Sequence, residues 1–161
     1  ASVALALERS GNVGATPHPR PEPTVHAPRP GPGEMAIAVC GAHMAGLPLN
    51  GQLTSLGGRF LRATMTAGDY RLYALNGGPP ERPGLVRDPS GGGSVPVEVW
   101  ALPMTEVGSF LAGIPSPLGL GTLTLSDGET VTGFLCEPHG LAGARELDAE
   151  AGWRGHLVSG R

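Results

Sequence analysis

From residue 35 onward the apolar positions fall into short runs broken by glycine, proline and acidic residues, the spacing of a chain built mostly of strands. Ile37-Ala38-Val39-Cys40 is an apolar run closed by Gly41 and reads as a first strand. Phe60 to Thr66 and Tyr70 to Leu75 are β-rich runs split by Ala67-Gly68-Asp69, which predicts a hairpin between them. Val95, Val97, Val99 and Ala101 alternate with Pro96, Glu98 and Trp100, the period of two of a strand with unlike faces. Leu123 and Leu125 meet Val131 to Cys136 across Asp127-Gly128, a second and stronger hairpin signal. Helical spacing is clear only over Met104 to Ile114, where Val107, Phe110, Leu111 and Ile114 recur on one face behind Pro103. A weaker helix is expected from Leu141 to Ala149. The sum is an α+β fold, a small mixed β-barrel of five to seven strands with one or two helices at the rim; an open α+β sandwich is the alternative.

Residues 11 to 35 differ in kind. They hold seven of the 17 prolines, at alternate positions that remove backbone donors and keep the chain near polyproline II. Residues 1–35 are therefore expected to be an extended linker or tail, with a polyproline ligand for a partner domain as the other reading, and residues 36–161 a single domain. The start at Ala1, with the apolar fragment Val3 to Leu7, suggests a piece of something longer.

Charge narrows the function. All 11 basic residues are arginine and the net charge is -3, so no basic face is available for a phosphate backbone and nucleic acid is not an expected partner. The absence of lysine excludes a Schiff-base enzyme, a P-loop and a Ser-Lys triad within this chain. The apolar runs are too short for a bilayer, and two cysteines make no disulfide scaffold, so a cytoplasmic protein is expected.

Chemistry-bearing residues concentrate directly after the first strand, in Cys40-Gly41-Ala42-His43-Met44-Ala45-Gly46-Leu47-Pro48-Leu49-Asn50-Gly51. A glycine-rich turn here can aim several amides at one point, as anion binding needs, and His43 within it is a proton donor or acceptor at neutral pH. A histidine that merely braces the loop is the competing reading. Cys40 and His43 share their spacing with Cys136 and His139, and two such pairs would make a tetrahedral zinc site if the strand ends met; buried cysteines as small core residues are the alternative. Glu98 is expected either to face solvent or to line the barrel. Arg59, Arg62 and Arg71 read as surface charges or anion clamps, Trp100 and Tyr73 as core or cavity wall. His18, His26 and His156 are expected to be solvated. The connection Ile114-Pro115-Ser116-Pro117-Leu118-Gly119-Leu120-Gly121 is rigid enough to wall a cavity.

These residues occur in a familiar order. Val39 to Asn50, Leu53 to Arg59, Tyr70 to Leu75, Pro83 to Arg87, Val97 to Trp100, Ile114 to Gly121, Gly133 to Glu137 and Gly152-Trp153-Arg154 together resemble the C-terminal domain of allophanate hydrolases, over about Met35 to Leu157. The resemblance implies a γ-glutamyl cyclotransferase-like barrel that decarboxylates N-carboxycarbamate, the product of the family's separate amidase domain, in urea degradation. It implies His43 as catalytic residue and no cofactor or metal. Substrate contacts are then expected from Gly41, Ala42, Met44 and Asn50 in the loop, Arg59 and Tyr73 on early strands, and Pro115, Leu118 and Gly119 in the connection, with Arg71 and Arg87 as further arginines in matching segments. The amidase's Ser-Ser-Lys triad has no lysine here. Phe110 to Gly121 holds no acidic residue, which argues against cyclotransferase activity. Expected partners are a small dianionic substrate and an amidase domain, with a homo-oligomer left open. The competing function is a non-catalytic module that docks the amidase.

Overall fold

A computed structural model of the protein describes residues 27–160; residues 1–26, with most of the expected linker and with His18 and His26, and Arg161 lie outside them. The described residues form eight strands and three short α-helices. They are β1 (Glu34–Val39), α1 (Asn50–Thr54), β2 (Arg59–Met65), β3 (Tyr70–Ala74), β4 (Pro83–Arg87), β5 (Pro96–Pro103), α2 (Val107–Ala112), β6 (Leu118–Thr124), β7 (Thr130–Cys136), β8 (Arg145–Leu147) and α3 (Gly152–Ser159).

A five-stranded sheet in the order β2-β5-β1-β7-β6 carries the core, and a three-stranded sheet, β4-β3-β8, stands beside it. β5 and β1 are central and buried on both faces or nearly so, with Val97, Val99, Ala101, Ile37 and Val39 all at 2% exposure or less. Among the described residues only β1 and β7 pair in parallel. The α+β class and the mixed sheet agree with the sequence reading, but the barrel is loose. Its edge strands β2 and β6 meet at one corner, where Thr66 bridges Leu125, the Ala67 N–H donates to the Thr124 carbonyl (2.9 Å) and the Ser126 N–H donates to that of Met65 (2.9 Å).

Two sequence expectations fail, for related reasons. β2 and β3 are not a hairpin: β2 pairs with β5, while β3 pairs with β4 and β8. Alternation shows that each run is extended, and says nothing about which distant strand completes its hydrogen bonds. The stretch 141–149 is not helical. A 3-10 turn over Pro138–Leu141 ends before Gly143, at φ 71°, and Arg145–Leu147 adds to the edge of β3 with Leu147 opposite Leu72. An available sheet edge outweighs weak helical propensity in so short a segment. The helix at 104–114 and the hairpin across Asp127-Gly128 are present as read, the helix beginning with a 3-10 turn at Met104–Glu106 and ending at Ala112.

One hydrogen bond joins the two sheets. Tyr70, fully buried on β3, accepts the Thr124 N–H through its hydroxyl at 2.9 Å. Tyr70→Phe leaves that donor unpaired and is expected to cost about 1–3 kcal/mol. Thermal unfolding checks this: an unchanged Tm would mean the seam is held by apolar packing alone.

Among the described residues no helix is long and apolar enough to cross a membrane.

Candidate functional site

The end of β1 delivers the chain into the loop 40–49, and three anchors hold that loop in shape. The Met44 N–H donates to the Gly41 carbonyl (2.9 Å), the Leu49 N–H to the Ala42 carbonyl (2.8 Å), and the Asn50 side-chain amide to the His43 carbonyl (2.8 Å). A fourth anchor comes from β5, where Glu98 accepts the Ala45 N–H (2.8 Å), the Trp100 Nε1–H (3.1 Å) and an N–H of Arg154 (3.0 Å). Glu98 is thus buried under the loop and α3, not turned to solvent. The N–H groups of Gly41, Ala42 and His43 donate to no group among the described residues. They are successive, and successive amides in a turn are able to hold an anion together. A Cβ on Gly41 would fall into the Pro83 ring, so β4 packs onto the loop only because residue 41 has none.

His43 is buried, with its ring edge-on to Phe110 (centroids 5.2 Å apart) and stacked at 6.0 Å on Phe134. Its Nε2 lies 2.9 Å from Gln52 Oε1 on α1. That oxygen can only accept, so Nε2 carries the proton and Nδ1 is left as a base. Burial pushes the imidazole below its ordinary value, the Gln52 hydrogen bond opposes that shift, and the positive field of Arg82 adds to it. The neutral ring's contribution to stability is therefore full above the unfolded value of about 6.5 and is lost as pH falls through the lower folded value.

His43 closes an inner cavity of about 30 Å³, lined also by Gly41, Ala42, Arg82, Leu118 and Phe134. An outer cavity of about 340 Å³, walled by the loop Asn76 to Pro80 and by Pro115 to Leu118, shares Arg82 and Leu118 with it. Arg82 stands where the two meet. Its Nε is buried with no hydrogen-bond partner, and among the described residues no carboxylate pairs with its guanidinium. An unpartnered buried arginine N–H is costly unless an anion meets it.

The residues expected from sequence are distributed unequally. Gly41, Ala42, His43, Pro115 and Leu118 line the two cavities. Asn50 supports the loop through the His43 carbonyl. Met44 is buried and lines a separate groove on the far side of the loop, with Glu98, Trp153 and Arg154. Gly119 follows the cavity wall on β6, paired with Leu135, and lines neither cavity. Arg59 is paired with Glu34 at 2.6 Å on the surface, and Tyr73 lies on the face of β3 that also carries Arg71. Neither lines the cleft. Arg71 is taken by Asp88 and Glu146, and Arg87 by Asp69. Arg62 pairs with Glu129. His156 is half-buried on α3 against Trp153, not solvated.

The two Cys–His pairs form no metal centre: among the described residues no group of three or more histidine, cysteine or acidic side chains is placed to hold an ion. Both cysteines are buried and free, and burial pushes the Cys40 thiol up to about 12, which opposes the thiolate a zinc site requires.

Sequence reasoning missed Arg82 and Gln52. Arg82 had one weak signal, a cation fixed between Glu81 and Pro83 in a proline-rich turn. Gln52 had none, since a polar residue in a short helix is ordinarily solvated.

Fold and site together define a small α+β domain with a cleft lined by a buried histidine and by an arginine that has no carboxylate partner among the described residues. The chain belongs to the allophanate hydrolase C-terminal domain family, whose sequence profile matches residues 35–158. It is 39% identical over 114 residues to the urea amidolyase of Saccharomyces cerevisiae, a match covering 70% of this chain and 6% of that protein. It superposes on Kluyveromyces lactis allophanate hydrolase with a TM-score of 0.75 at 35% identity, over 79% of this chain and 21% of that one. A uropathogenic E. coli-specific protein superposes with a TM-score of 0.72 at 35% identity over 78% of this chain and 96% of its own. The chain therefore spans a small part of the urea amidolyases it matches and nearly the whole of that bacterial protein.

Proposed function

We propose that this domain binds N-carboxycarbamate, the product of an amidase that cleaves allophanate, and releases carbon dioxide from it. The observation that carries this reading is Arg82, which lines the cavity that His43 closes and whose buried Nε has no hydrogen-bond partner among the described residues. N-carboxycarbamate is a small dianion, two carboxylates on one nitrogen. The inner cavity has room for little more than one carboxylate, which there meets the free amides of Gly41, Ala42 and His43. The second carboxylate remains at the guanidinium of Arg82, where a fork of donors suits its geometry.

His43 supplies the proton. In the empty cleft the ring is held neutral by burial; a dianion beside it favours the imidazolium, so a proton is taken up at Nδ1 as substrate binds. That proton passes to the substrate nitrogen as one C–N bond breaks. The electron pair of the bond stays on nitrogen, carbon dioxide leaves, and carbamate remains. Carbamate then takes a further proton and divides into ammonia and a second carbon dioxide. The chain has no lysine, so the preceding hydrolysis by a Ser-Ser-Lys amidase falls to another domain or chain, which is the expected partner.

The test is the rate of carbon dioxide release from allophanate with a separately prepared amidase, in the presence and absence of this chain. Faster release supports the reading. Equal rates retire catalysis and leave a docking module as the better account.

The proton uptake has its own signature. Malonate is the stable isostere, with a methylene in place of the nitrogen. Between the lowered value of the free ring and the raised value of the complex, binding takes up close to one proton, so affinity tightens as pH falls through that interval. Calorimetry in buffers of different ionisation enthalpy measures the uptake. A pH-independent affinity, or an uptake that survives in His43→Gln, would remove His43 from the proton path.

A further inference from the structure

The helix α3 lies outside the cleft, yet two of its side chains grip the two walls. Arg154 reaches the His43 loop, donating hydrogen bonds from its Nη2 to the Ala45 carbonyl (2.8 Å) and to Glu98 (3.0 Å). Two residues on, His156 Nε2 lies 3.1 Å from the carboxylate of Glu81, the residue directly before Arg82. The tautomer at His156 follows from its neighbours. Arg145 has only donors and approaches Nδ1 at 3.3 Å, so Nδ1 accepts and Nε2–H is left to donate to Glu81.

The helix itself is well fixed. Trp153 is 2% exposed in the core, and the His156 ring lies 4.8 Å from it. Ion pairs on a surface contribute little to stability in general. These contacts differ from such pairs in what they join: a buried carboxylate under the catalytic loop on one side, and the turn carrying the cleft's unpaired arginine on the other.

We infer that α3 is a strap that sets the spacing of the cleft, with Arg154 positioning His43 and His156, through Glu81, positioning Arg82. The inference rests on the reading of the cleft as a dianion site, and it makes the two walls separable. Loosening the Arg154 side misplaces the proton source while leaving the arginine in place. Loosening the His156 side moves the carboxylate clamp and leaves the proton source where it is. Both are positioning residues and touch no substrate.

The experiment uses the full chain and the variants Arg154→Ala, Arg154→Lys, His156→Ala, Glu81→Ala and the double variant of the last two. Arg154→Ala is expected to lower kcat for carbon dioxide release about tenfold with a distinctly smaller loss of malonate affinity through the loop amides, and Arg154→Lys to recover part of the loss. His156→Ala and Glu81→Ala are each expected to weaken malonate binding about tenfold with kcat retained, and the double variant to bind no worse than either single one. Amide hydrogen exchange is expected to rise in residues 41–46 for Arg154→Ala and in residues 76–82 for His156→Ala, with global stability held.

A merely structural helix would lower Tm and change kcat and malonate affinity together in every variant, and that result overturns the strap. So does an additive double variant, or exchange that is unaltered in both loops. If the unaltered chain fails to bind malonate, the dianion reading falls. Loop-specific exchange then still decides whether α3 couples the two walls.

Discussion

Replacing His43 with alanine is expected to abolish the acceleration of carbon dioxide release while leaving the domain folded. General acid catalysis by a positioned side chain contributes roughly 10²- to 10⁴-fold, and in this cleft His43 is the one titratable side chain lining the inner cavity besides Arg82 and the buried Cys40 thiol. Arginine does not give up its proton, and a thiol pushed up to about 12 is a poor donor near neutrality. The loss should therefore approach the whole effect. Alanine also removes a ring packed between Phe110 and Phe134, with a cost of about 1–3 kcal/mol from the space it leaves. His43→Gln separates the two consequences. It keeps most of the volume and can still bond Gln52, but it cannot titrate. Both variants should release carbon dioxide at the uncatalysed rate, with glutamine closer to the original Tm. Full activity in His43→Gln would refute the proton role outright.

The second large effect is expected at Arg82. Arg82→Ala removes the cleft's only unpaired guanidinium among the described residues and leaves the second carboxylate without a charged partner. A hydrogen bond to a charged group is worth about 1.5–3 kcal/mol net, so malonate affinity should fall roughly 10- to 150-fold. The same change relieves the repulsion that helps to keep His43 neutral, so the free imidazole should titrate at a higher pH. Substrate affinity and histidine titration thus move in opposite senses. Arg82→Lys keeps the charge and loses the fork, and is expected to recover the histidine shift more fully than the binding. NMR titration of the His43 ring and calorimetry with malonate read the two effects separately. If Arg82→Ala bound malonate as tightly as the unaltered chain, the dianion would have to be held by the loop amides alone.

The site was legible in the chain as far as local geometry reaches. Three glycines around His43 and an apolar run ending at Cys40 mark a tight turn after the first strand, and that can be read from adjacent residues because a turn is built by adjacent residues. The hairpin at Asp127-Gly128 and the helix behind Pro103 were legible for the same reason. The resemblance to the allophanate hydrolase domain added the catalytic role proposed for His43, which composition and spacing leave open.

Arginine choice was not legible. Arg59, Arg71 and Arg87 lie in segments that match the family, and nothing in the sequence tells which arginine reaches the cleft, or points to Arg82 in its proline-rich turn. What separates them is partnership: each of the three meets a carboxylate that is distant in sequence, Glu34, Glu146 or Asp69, and Arg82 meets none among the described residues. Pairing across 18 to 75 residues is a product of the folded chain. Glu98 is a similar case, since alternation puts it on one face of β5 but cannot say that the His43 loop and α3 will cover that face.

Alternation and turn chemistry are thus properties of neighbours and were settled along the chain: strands, one helix, one hairpin and the glycine-rich loop around His43. Which strands pair, whether 145–147 joins a sheet edge or coils, and which arginine stays unpaired depend on contacts between residues far apart, whose entropic cost of closure is met only by the packed core. Those were decided by the tertiary structure alone.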